Sequence, residues 1–309
     1  MITPEIIAGD VLDILPGLDD NSVDLIVADP PYNLDKDYGN RSDSFTSGQW
    51  VEFSEKWIKQ AHRVLSETGT IYIFMGFRNI STTWSILEKL NMNFVNWITW
   101  HYTQGTGKTR GFSPRHEDIL MFSKTRNYKF NLNSIRVPQK YYRKRNNMSG
   151  ANPGDVWEFS HVHYCKSGRR KHPTQKPEGV IERMVLASTD PGDTVLDLFS
   201  GTGTCSRVCQ ILGRNCKGIE INPDFVDLII QRLGEPFELF DSIDSRLFRI
   251  PDDLRTHRER VDYLLTHLKN FILPNPGYKH HLKRFYTEIE LKYDIKTAMD
   301  VLGKAENEF

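Results

Sequence analysis

Residues 29–32 bring together a carboxylate, two prolines and an aromatic ring, a combination that could hold a planar group carrying an amine. Each proline fixes φ and removes a backbone donor, so the chain is stiff here and its carbonyl groups remain available as acceptors. A carboxylate and carbonyl acceptors beside a stackable ring suit a nucleobase. The alternative is a rigid turn with a helix-capping aspartate, because aspartate and proline are both common in turns. The four residues are Asp29, Pro30, Pro31 and Tyr32.

Residues 197–204 form a glycine-containing loop between a predicted strand and a predicted helix. Glycines let a ligand approach the backbone, and the amino end of a helix offers free N–H groups. The next predicted strand leads to Glu220, an acid at the position that binds ribose hydroxyls in nucleotide-binding folds. Because Ser206 stands where the dinucleotide fingerprint has its third glycine, a nucleoside ligand without phosphates, such as S-adenosylmethionine, is favoured.

Two further segments carry groups that could hold such a ligand. Asp10 precedes the apolar run of residues 23–28 and could contact an adenine or cap a helix. Thr174 and Lys176 lie in a proline-bounded hexapeptide, residues 172–177, just before a predicted helix. They could hold a carboxylate, or they could belong to a stiff loop with a solvated lysine.

An α/β scaffold must position these groups, and the hydrophobic pattern predicts one on both sides of a central break. Alternating strand and helix patterns indicate a parallel-rich sheet with helices on both faces. Trp50, Phe53 and Trp57 recur at helical spacing and are predicted to be core. The predicted strands cover residues 23–28, 70–75, 94–100, 118–122, 194–198 and 215–221, and the predicted helices residues 50–65, 80–90, 178–188, 204–212 and 223–233.

The net charge of zero hides a segregation of charge along the chain. Residues 1–60 hold twelve acidic and four basic side chains, a balance of −8. Residues 124–176 hold thirteen basic and two acidic side chains, a balance of +11, and periodicity fails between residues 127 and 171. This pattern favours a polyanion-binding segment on a neutral or acidic catalytic body, and the alternative is a solvated basic loop.

Composition favours a globular protein of the reducing cytoplasm. No stretch approaches the about 20 apolar residues that span a bilayer, and no signal peptide is predicted. The four cysteines lack a CxxC pairing, so free thiols are expected. A last section, residues 236–309, shows helical patterns that are broken around residues 274–277.

The order of the motifs resembles the β class of DNA methyltransferases that modify exocyclic amino groups in restriction–modification systems, in its N6-adenine type. In that class the chain is circularly permuted, so the catalytic motif comes first and the cofactor loop comes near the end. The resemblance covers roughly residues 7–233, including residues 98–100 and 116–120, which look like family elements flanking the catalytic pocket. The C-terminal section falls outside it.

The resemblance implies an α/β fold with a Rossmann-like methyltransferase sheet, circularly permuted, with a basic target-recognition insert and a helical C-terminal extension. The predicted division is a catalytic half at residues 1–126, the insert at 127–171, a cofactor-binding half at 172–235 and the extension at 236–309. The family usually has proline where Leu198 stands and glycine where Thr202 stands, and these departures bear on affinity.

The resemblance also implies roles for individual residues. Asp29, Pro30, Pro31 and Tyr32 would grip the target base. S-adenosylmethionine would be bound by Asp10, Thr174, Lys176, Asp197, Phe199, Ser200, Gly201, Thr202, Gly203, Thr204 and Glu220. Within that set, Thr174 and Lys176 would contact its methionine end and Asp10 its adenine.

The expected chemistry is direct methyl transfer to an amine. Asp29 and the Pro30 carbonyl could accept the two amine hydrogens and so localise a lone pair that is otherwise delocalised into the ring. No covalent intermediate is needed, so no cysteine nucleophile is expected. The base must leave the duplex to reach such a pocket, and Tyr32 offers a stacking surface.

Basic residues are predicted to contact DNA by neutralising phosphates or reading guanine edges. They are Lys108, Arg110, Arg136, Lys140, Arg143, Lys144, Arg145, Arg169 and Arg170. Residues 104–109 end like a phosphate-binding loop, but Tyr102 occupies the required first glycine position, so a loop near the pocket is favoured. His161, His163 and Cys165 lack a fourth ligand at the proper spacing, and no metal is predicted.

We therefore expect a cytoplasmic, nucleoid-associated enzyme that methylates adenine N6 in a short duplex sequence. Adenine is favoured because family members acting on N4 of cytosine more often carry serine in place of Asp29. Alternatives are an N4-cytosine enzyme, an inactive DNA-binding protein of the same fold, or methylation of RNA or a protein amide. The expected partner is double-stranded DNA, with no membrane. A cognate restriction endonuclease acting on the same site, without a required complex, and a homodimer stay open.

Overall fold

The computed structural model describes residues 2–33, 45–102, 107–136, 151–159, 175–235, 256–272, 300–301 and 303–304. Its strands, in chain order, are β1 (Glu5–Ala8), β2 (Val23–Ala28), β3 (Leu65–Met75), β4 (Asn93–His101), β5 (His116–Ser123), β6 (Val156–Glu158), β7 (Thr194–Asp197) and β8 (Asn215–Glu220). They form one eight-stranded sheet in the order β1-β8-β7-β2-β3-β5-β4-β6.

Helices connect most of these strands. They are α1 (Val11–Ile14), α2 (Ser47–Val64), α3 (Ile80–Lys89), α4 (Glu178–Ser188), α5 (Thr204–Leu212), α6 (Pro223–Gly234) and α7 (His257–Ile272), with short 3₁₀ turns at Leu15–Gly17 and Leu132–Ile135. The predicted alternation of strands and helices is confirmed, and the architecture is a Rossmann-like α/β sheet.

The strand order shows how a permuted chain builds this sheet. Although β7 and β8 come late in the sequence, β7 lies between β2 and β8 and is parallel to both. The strands β1, β2, β3, β4, β7 and β8 therefore end at the same side of the sheet, which we call the carboxyl edge. Open α/β sheets bind ligands at this edge.

One strand, β5, runs against its neighbours. It is antiparallel to both β3 and β4, and His101 at the end of β4 pairs with His116 at the start of β5. The sequence pattern predicted a parallel-rich sheet and did not identify this reversal. No helix is predicted between β4 and β5, which is compatible with an antiparallel pair. The consequence of the reversal is that β5 begins at the carboxyl edge, so residues early in β5 lie beside the ends of β3 and β4.

The core lies on both faces of the sheet. Along β2, Leu25 and Val27 pack into the cluster that contains α4 and α5, whereas Ile26 packs into the cluster that contains α2. Each such fully buried aliphatic side chain contributes about 1.5–3 kcal/mol. Helix α2 begins with a capping box in which Thr46 and Gln49 bond each other's backbone N–H groups.

The sequence analysis did not predict two short strands, β1 and β6. The apolar run Val23–Ala28 is the second strand, because Glu5–Ala8 forms β1 at the edge of the sheet, paired with β8. The expectation of an irregular segment at residues 127–171 is wrong at Val156–Glu158, which pairs with β4. Both strands have four residues or fewer, too short for a clear alternating pattern.

The helical pattern predicted in the C-terminal section is confirmed by α7. Its Val261 and Leu264 are buried, and the helix packs against the turn Leu132–Ile135. Among the described residues, no helix is both long and apolar enough to span a membrane. The division of the chain into four segments stays a prediction.

Candidate active site

The pairing of β2 with β7 brings the two main motifs together. Val27 pairs with Asp197, and the Leu198 N–H donates to the Val27 carbonyl at 3.1 Å. Asp29 directly follows β2, and Phe199 closely follows β7. Neighbouring parallel strands therefore deliver the Asp-Pro-Pro-Tyr motif and the glycine loop to adjacent positions at the carboxyl edge.

Four polar side chains form a connected cluster at the end of β2. The Lys176 Nζ lies 2.8 Å from Asp29 Oδ2 and 3.3 Å from Glu117 Oε2. The Tyr32 hydroxyl lies 2.8 Å from Asp29 Oδ1 and 3.2 Å from Glu117 Oε2. Because a hydroxyl has one hydrogen, Tyr32 shares it between the two carboxylates. We call Asp29, Tyr32, Glu117 and Lys176 the carboxylate–lysine cluster.

Burial and charge decide the ionisation of two members of this cluster. Burial acts to lower the pKa of Lys176, but the attraction of Asp29 and Glu117 outweighs it and raises that pKa above its usual range. Burial, followed by the nearby carboxylates, raises the pKa of Tyr32 well above its usual value. Lys176 is therefore an ammonium and Tyr32 a neutral hydroxyl at neutral pH. The ammonium also lies 5.4 Å from the centre of the Tyr32 ring.

The backbone of the motif is fixed by two side chains from neighbouring elements. The Trp50 Nε1–H of α2 donates to the Pro31 carbonyl at 3.0 Å. The Asn79 amide donates to the Tyr32 carbonyl at 3.1 Å. Together with the proline rings, these bonds hold the orientation of Asp29 and Tyr32.

The glycine loop is tied to the end of β8 through Glu220. The Gly201 N–H donates to Glu220 Oε2 at 2.7 Å, and the Asn222 N–H donates to Glu220 Oε1 at 2.8 Å. Burial nevertheless raises the pKa of Glu220. Burial, with Cys216 nearby, also raises the pKa of Asp197 well above its usual value. Two buried acids thus lie at the ends of adjacent strands.

Two glycines are required by close packing at this loop. Gly203 has φ +70°, and a Cβ there would lie 2.7 Å from Ile229 of α6. A Cβ on Gly218 would lie 2.7 Å from the Ser200 hydroxyl. Gly203 thus faces α6 rather than the pocket, and its role is to let the loop turn against that helix.

The predicted site residues meet around one pocket of about 1260 Å³, a volume that includes its open mouth. Those that line it are Asp10, Asp29, Pro30, Pro31, Tyr32, Lys176, Asp197, Phe199, Ser200, Gly201, Thr202, Thr204 and Glu220. Asp10 also caps α1 by accepting from the Leu12 N–H at 3.0 Å, so the capping interpretation is confirmed and the contact with adenine stays a prediction. Thr174 lies outside the described residues.

Sequence reasoning missed part of this site. Glu117 was noted only within a flanking element, and its contacts with Tyr32 and Lys176 depend on the reversal of β5. Phe53, predicted to be core, lines the pocket instead and stacks on Phe45 with ring centres 5.6 Å apart. Helical spacing identified the inward face of α2 but could not tell core from pocket wall.

The predicted DNA-contacting residues are only partly described. Lys108 and Arg110 are exposed in the loop that joins β4 to β5 at the carboxyl edge. Arg136 donates to the side-chain carbonyl oxygens of Asn133 and Asn152, at 2.8 and 2.9 Å. The remaining six, Lys140, Arg143, Lys144, Arg145, Arg169 and Arg170, lie outside the described residues.

Histidine and cysteine side chains are the candidate metal ligands. His161, His163 and Cys165 lie outside the described part of the chain. Within that part, one group could hold a metal by its spacing, the buried thiols of Cys205, Cys209 and Cys216, whose sulfurs lie within 4.8 Å of one another. The prediction that no metal is bound stays untested.

Comparison with known proteins identifies the family. The N6_N4_Mtase family model, described as DNA methylase, matches residues 23–231. The chain is 51% identical over 297 residues to the type II methyltransferase M.HpaI of Haemophilus parainfluenzae, covering 96% of this chain and 94% of that protein. It is 35% identical over 241 residues to the DNA adenine methyltransferase YhdJ of Escherichia coli (strain K12), covering 74% of this chain and 82% of that one.

A solved structure agrees with the fold. The complex of M1.HpyAVI with SAM superposes with a TM-score of 0.56 at 23% identity, covering 76% of this chain and all of that chain (100%). The chain belongs to the N6/N4 DNA methylase family, and it is a DNA methyltransferase of the kind found in restriction–modification systems. Its cofactor is S-adenosylmethionine.

The pocket fits this cofactor. The Ser200 hydroxyl is buried and has no hydrogen-bond partner among the described residues, although it lines the pocket. Acids at Asp197 and Glu220 offer acceptors for hydroxyl and amino groups, while Phe199 and Phe225 supply apolar wall. A nucleoside with a charged, non-phosphate tail matches such a mixed lining.

Proposed function

We propose that the protein is a site-specific enzyme that methylates adenine N6 in a short duplex DNA sequence, by direct transfer to a flipped base. One observation carries the proposal: Asp29 and the glycine loop line the same pocket. A methyl donor held at the loop and an amine held at Asp29 would therefore meet without movement of the sheet. Such positioning supplies a large part of the rate of a two-substrate reaction.

The orientation of Asp29 supports its role as an acceptor for the amine. Its Oδ2 accepts from the Lys176 ammonium at 2.8 Å, so the carboxylate already points at an N–H donor beside the pocket. With the Pro30 carbonyl, it would accept the hydrogens of the exocyclic amine. These bonds favour a pyramidal nitrogen whose lone pair can attack the methyl group, and they strengthen as the transition state forms. The methyl–sulfur bond would break as the methyl–nitrogen bond forms, its electron pair would stay on the leaving sulfur, and Asp29 would accept the proton that the methylated nitrogen releases.

The balance of charge in the carboxylate–lysine cluster suits the same reaction. Asp29 and Glu117 contribute two negative charges and Lys176 one positive charge, which leaves one net negative charge beside the pocket. Positive charge moves from the donor sulfur to the attacked nitrogen during transfer. Preorganised negative charge at this position stabilises that transition state.

Several residues are positioned to hold S-adenosylmethionine, which supplies an electrophilic methyl group when bound. Glu220 would bind the ribose, Asp10 the adenine, and Lys176 the methionine carboxylate together with Thr174. Because the Lys176 ammonium lies 2.8 Å from Asp29 Oδ2, the methionine end of a cofactor bound at Lys176 would be next to the amine-binding carboxylate. Asp197, Phe199, Ser200, Gly201, Thr202 and Thr204 would complete the binding site, while Gly203 would act through the turn of the loop.

Adenine is favoured over cytosine by the aspartate at position 29 and by the similarity to a relative named as an adenine methyltransferase. The alternative is N4-cytosine, because the family model covers both amines and the pocket chemistry serves either. Contacts of the basic residues with duplex DNA, a cognate endonuclease acting on the same site and a location in the cytoplasm remain parts of the prediction.

The methylated nucleoside tests the proposal. Purified protein is incubated with duplex DNA and S-adenosylmethionine labelled in its methyl group, and the DNA is then digested to nucleosides. We expect the label in N6-methyladenine, and label in N4-methylcytosine alone would contradict the adenine assignment. Duplex RNA of the same sequence serves as competitor, and preferential methylation of RNA would contradict the substrate assignment.

A further inference from the structure

Phe112 is an aromatic side chain with almost no contact with the rest of the molecule. It is 98% exposed, in a segment where residues 107–112 are all exposed. Exposing a phenylalanine forgoes the stabilisation of burying it, about 1.5–3 kcal/mol. A residue this exposed contributes little to the fold, so its position calls for another explanation.

The loop that carries Phe112 is attached directly to the proposed active site. It leaves the carboxyl edge after β4 and returns at β5, and its base is closed by the Tyr102 N–H donating to the Arg115 carbonyl at 2.9 Å. Two residues later Glu117 contacts Tyr32 and Lys176. Phe112 is five residues from Glu117, so the backbones of the two residues are at most about 18 Å apart. This distance corresponds to about five base steps of a DNA strand.

The loop also has an internal structure that presents the ring. The Lys108 N–H donates to the Ser113 hydroxyl at 2.9 Å, which closes the segment around Phe112. Gly111 has φ +89°, a conformation that turns the chain immediately before the ring. Lys108, Arg110 and Arg115 give the loop positive charge, which is complementary to DNA phosphates.

An apolar ring among basic side chains, on a loop that leads directly into the carboxylate–lysine cluster, matches one chemical task. Proteins that distort duplex DNA insert apolar wedges between base steps, because the wedge replaces lost stacking. Phe77 is also exposed at this edge, at 74%, but the Arg78 guanidinium covers its ring at 5.9 Å and α3 begins three residues later. Phe112 is the more exposed of the two side chains, at 98%.

We infer that Phe112 is the residue that enters the duplex when the target base leaves it, filling the vacated stack while Lys108 and Arg110 hold the flanking phosphates. This role rests on the proposed function, since a stack needs filling only if the base is flipped. It makes Phe112 a positioning residue, which acts on the conformation of the DNA and not on the methyl group.

The test separates base extrusion from binding and from folding. It uses full-length protein and a duplex containing the recognition sequence found by mapping methylated positions. One version of the duplex is fully paired, and the other has an abasic site opposite the target, where extrusion costs less. We expect Phe112→Ala to lower kcat/KM about tenfold or more on the paired duplex, the effect of losing about one stacking contact. On the abasic duplex we expect it to approach the wild type.

Fluorescence and a control variant complete the test. With 2-aminopurine at the target position, the increase in fluorescence on binding should fall in Phe112→Ala and be retained in Phe112→Trp. Phe130→Ala is the control, because Phe130 is 43% exposed near Thr68, at the opposite edge of the sheet. Equal activity of Phe112→Ala and wild type on paired DNA, or an equal defect on both duplexes, would overturn the inference. A wild type that methylates no DNA would instead overturn the proposed function.

Discussion

Lys176 is the residue on which the two halves of the proposed site depend. It lies in the segment before α4, yet its ammonium is buried between Asp29 of the β2 end and Glu117 of β5. Its raised pKa means that its stabilising contribution is complete below the ordinary lysine value of about 10.4. The contribution is lost only as pH rises through the still higher folded pKa. The charge is therefore in place throughout the neutral range.

Replacing Lys176 should leave two partly buried carboxylates, each with 19% of its side chain exposed, without their counter-charge. We expect Lys176→Met to lower the free energy of unfolding by about 3 kcal/mol or more in urea titrations, with loss of methyl transfer. Lys56→Met is a matched control, since Lys56 pairs with Glu52 on an exposed helix surface, where water screens the pair and its loss should have little effect on stability. Equal stability of the two variants would contradict this account.

Asp197 differs from Lys176 in that its charged form destabilises the folded protein. Its carboxyl is 4% exposed, and burial, then Cys216, raises its pKa well above the ordinary value. A carboxyl with a raised folded pKa subtracts stability when it is ionised, and this penalty disappears as pH falls through the folded pKa towards the unfolded value of about 3.9.

Asp197→Asn should therefore stabilise the cofactor-free protein at pH 7.5, by about 1 kcal/mol in urea titrations, while weakening S-adenosylmethionine binding in calorimetry. The difference from the wild type should shrink as pH is lowered, because the wild-type carboxyl becomes neutral. An asparagine keeps an oxygen for the weak bond from the Phe199 N–H, 3.3 Å in the wild type. A difference in stability that is independent of pH would show that charge burial is not the cause.

At the scale of elements, the glycine loop depends on its packing against α6. Gly203→Ala adds a Cβ 2.7 Å from Ile229 at a residue with φ +70°. We expect a loss of stability of about 2 kcal/mol or more, from backbone strain plus overpacking, and weaker cofactor binding. Both are measured by thermal unfolding with and without S-adenosylmethionine.

Gly213 provides the control for that prediction. It also has φ +70°, at the end of α5, but nothing lies within 4 Å of the Cβ that an alanine would add. Gly213→Ala should therefore lower the stability by about 1 kcal/mol, from backbone strain at positive φ without a steric clash. It should leave cofactor binding unchanged. If the two variants lose the same stability, the contact with Ile229 is not significant.

The elements differ in how well their sequences predicted them. Most helices and buried strands were predicted to within about one residue, as in α5 (Thr204–Leu212), because their hydrophobic pattern is continuous. The boundary between α2 and β3 was predicted less well, since β3 begins at Leu65, five residues before the predicted start, and α2 begins at Ser47 rather than at residue 50. β1 and β6 were missed because a strand of three or four residues has no measurable period. The direction of β5 was not predictable from its own residues, since strand direction is decided by the connection and the neighbours.

The same contrast holds for the site. Asp29, the glycine loop and Glu220 were predicted because each follows a recognisable strand and has a chemically unusual composition. Glu117 was given no role because its place beside Tyr32 follows from the reversal of β5. Lys176 was assigned to the cofactor alone, since no local pattern indicates an ion pair between segments so distant in the chain.

At the scale of the whole molecule, circular permutation leaves the sheet intact and changes only the order in which the chain visits it. β7 and β8, which flank the cofactor loop, lie in the sheet between β1 and β2. The motif at residues 29–32 and the loop at residues 197–204 therefore meet at one edge. The acidic first sixty residues and the basic central segment then belong to one molecule with distinct charged regions. Such an arrangement favours a polyanionic substrate.

The most direct test of the central claim is a map of methylated positions in the DNA of cells that express this protein, with the Asp29→Ala variant alongside. The proposal predicts N6-methyladenine at one short sequence with the wild type and none with Asp29→Ala. The purified variant should still bind S-adenosylmethionine, because Asp29 belongs to the amine side of the pocket. N4-methylcytosine instead of N6-methyladenine, or an unchanged map with Asp29→Ala, would contradict the account.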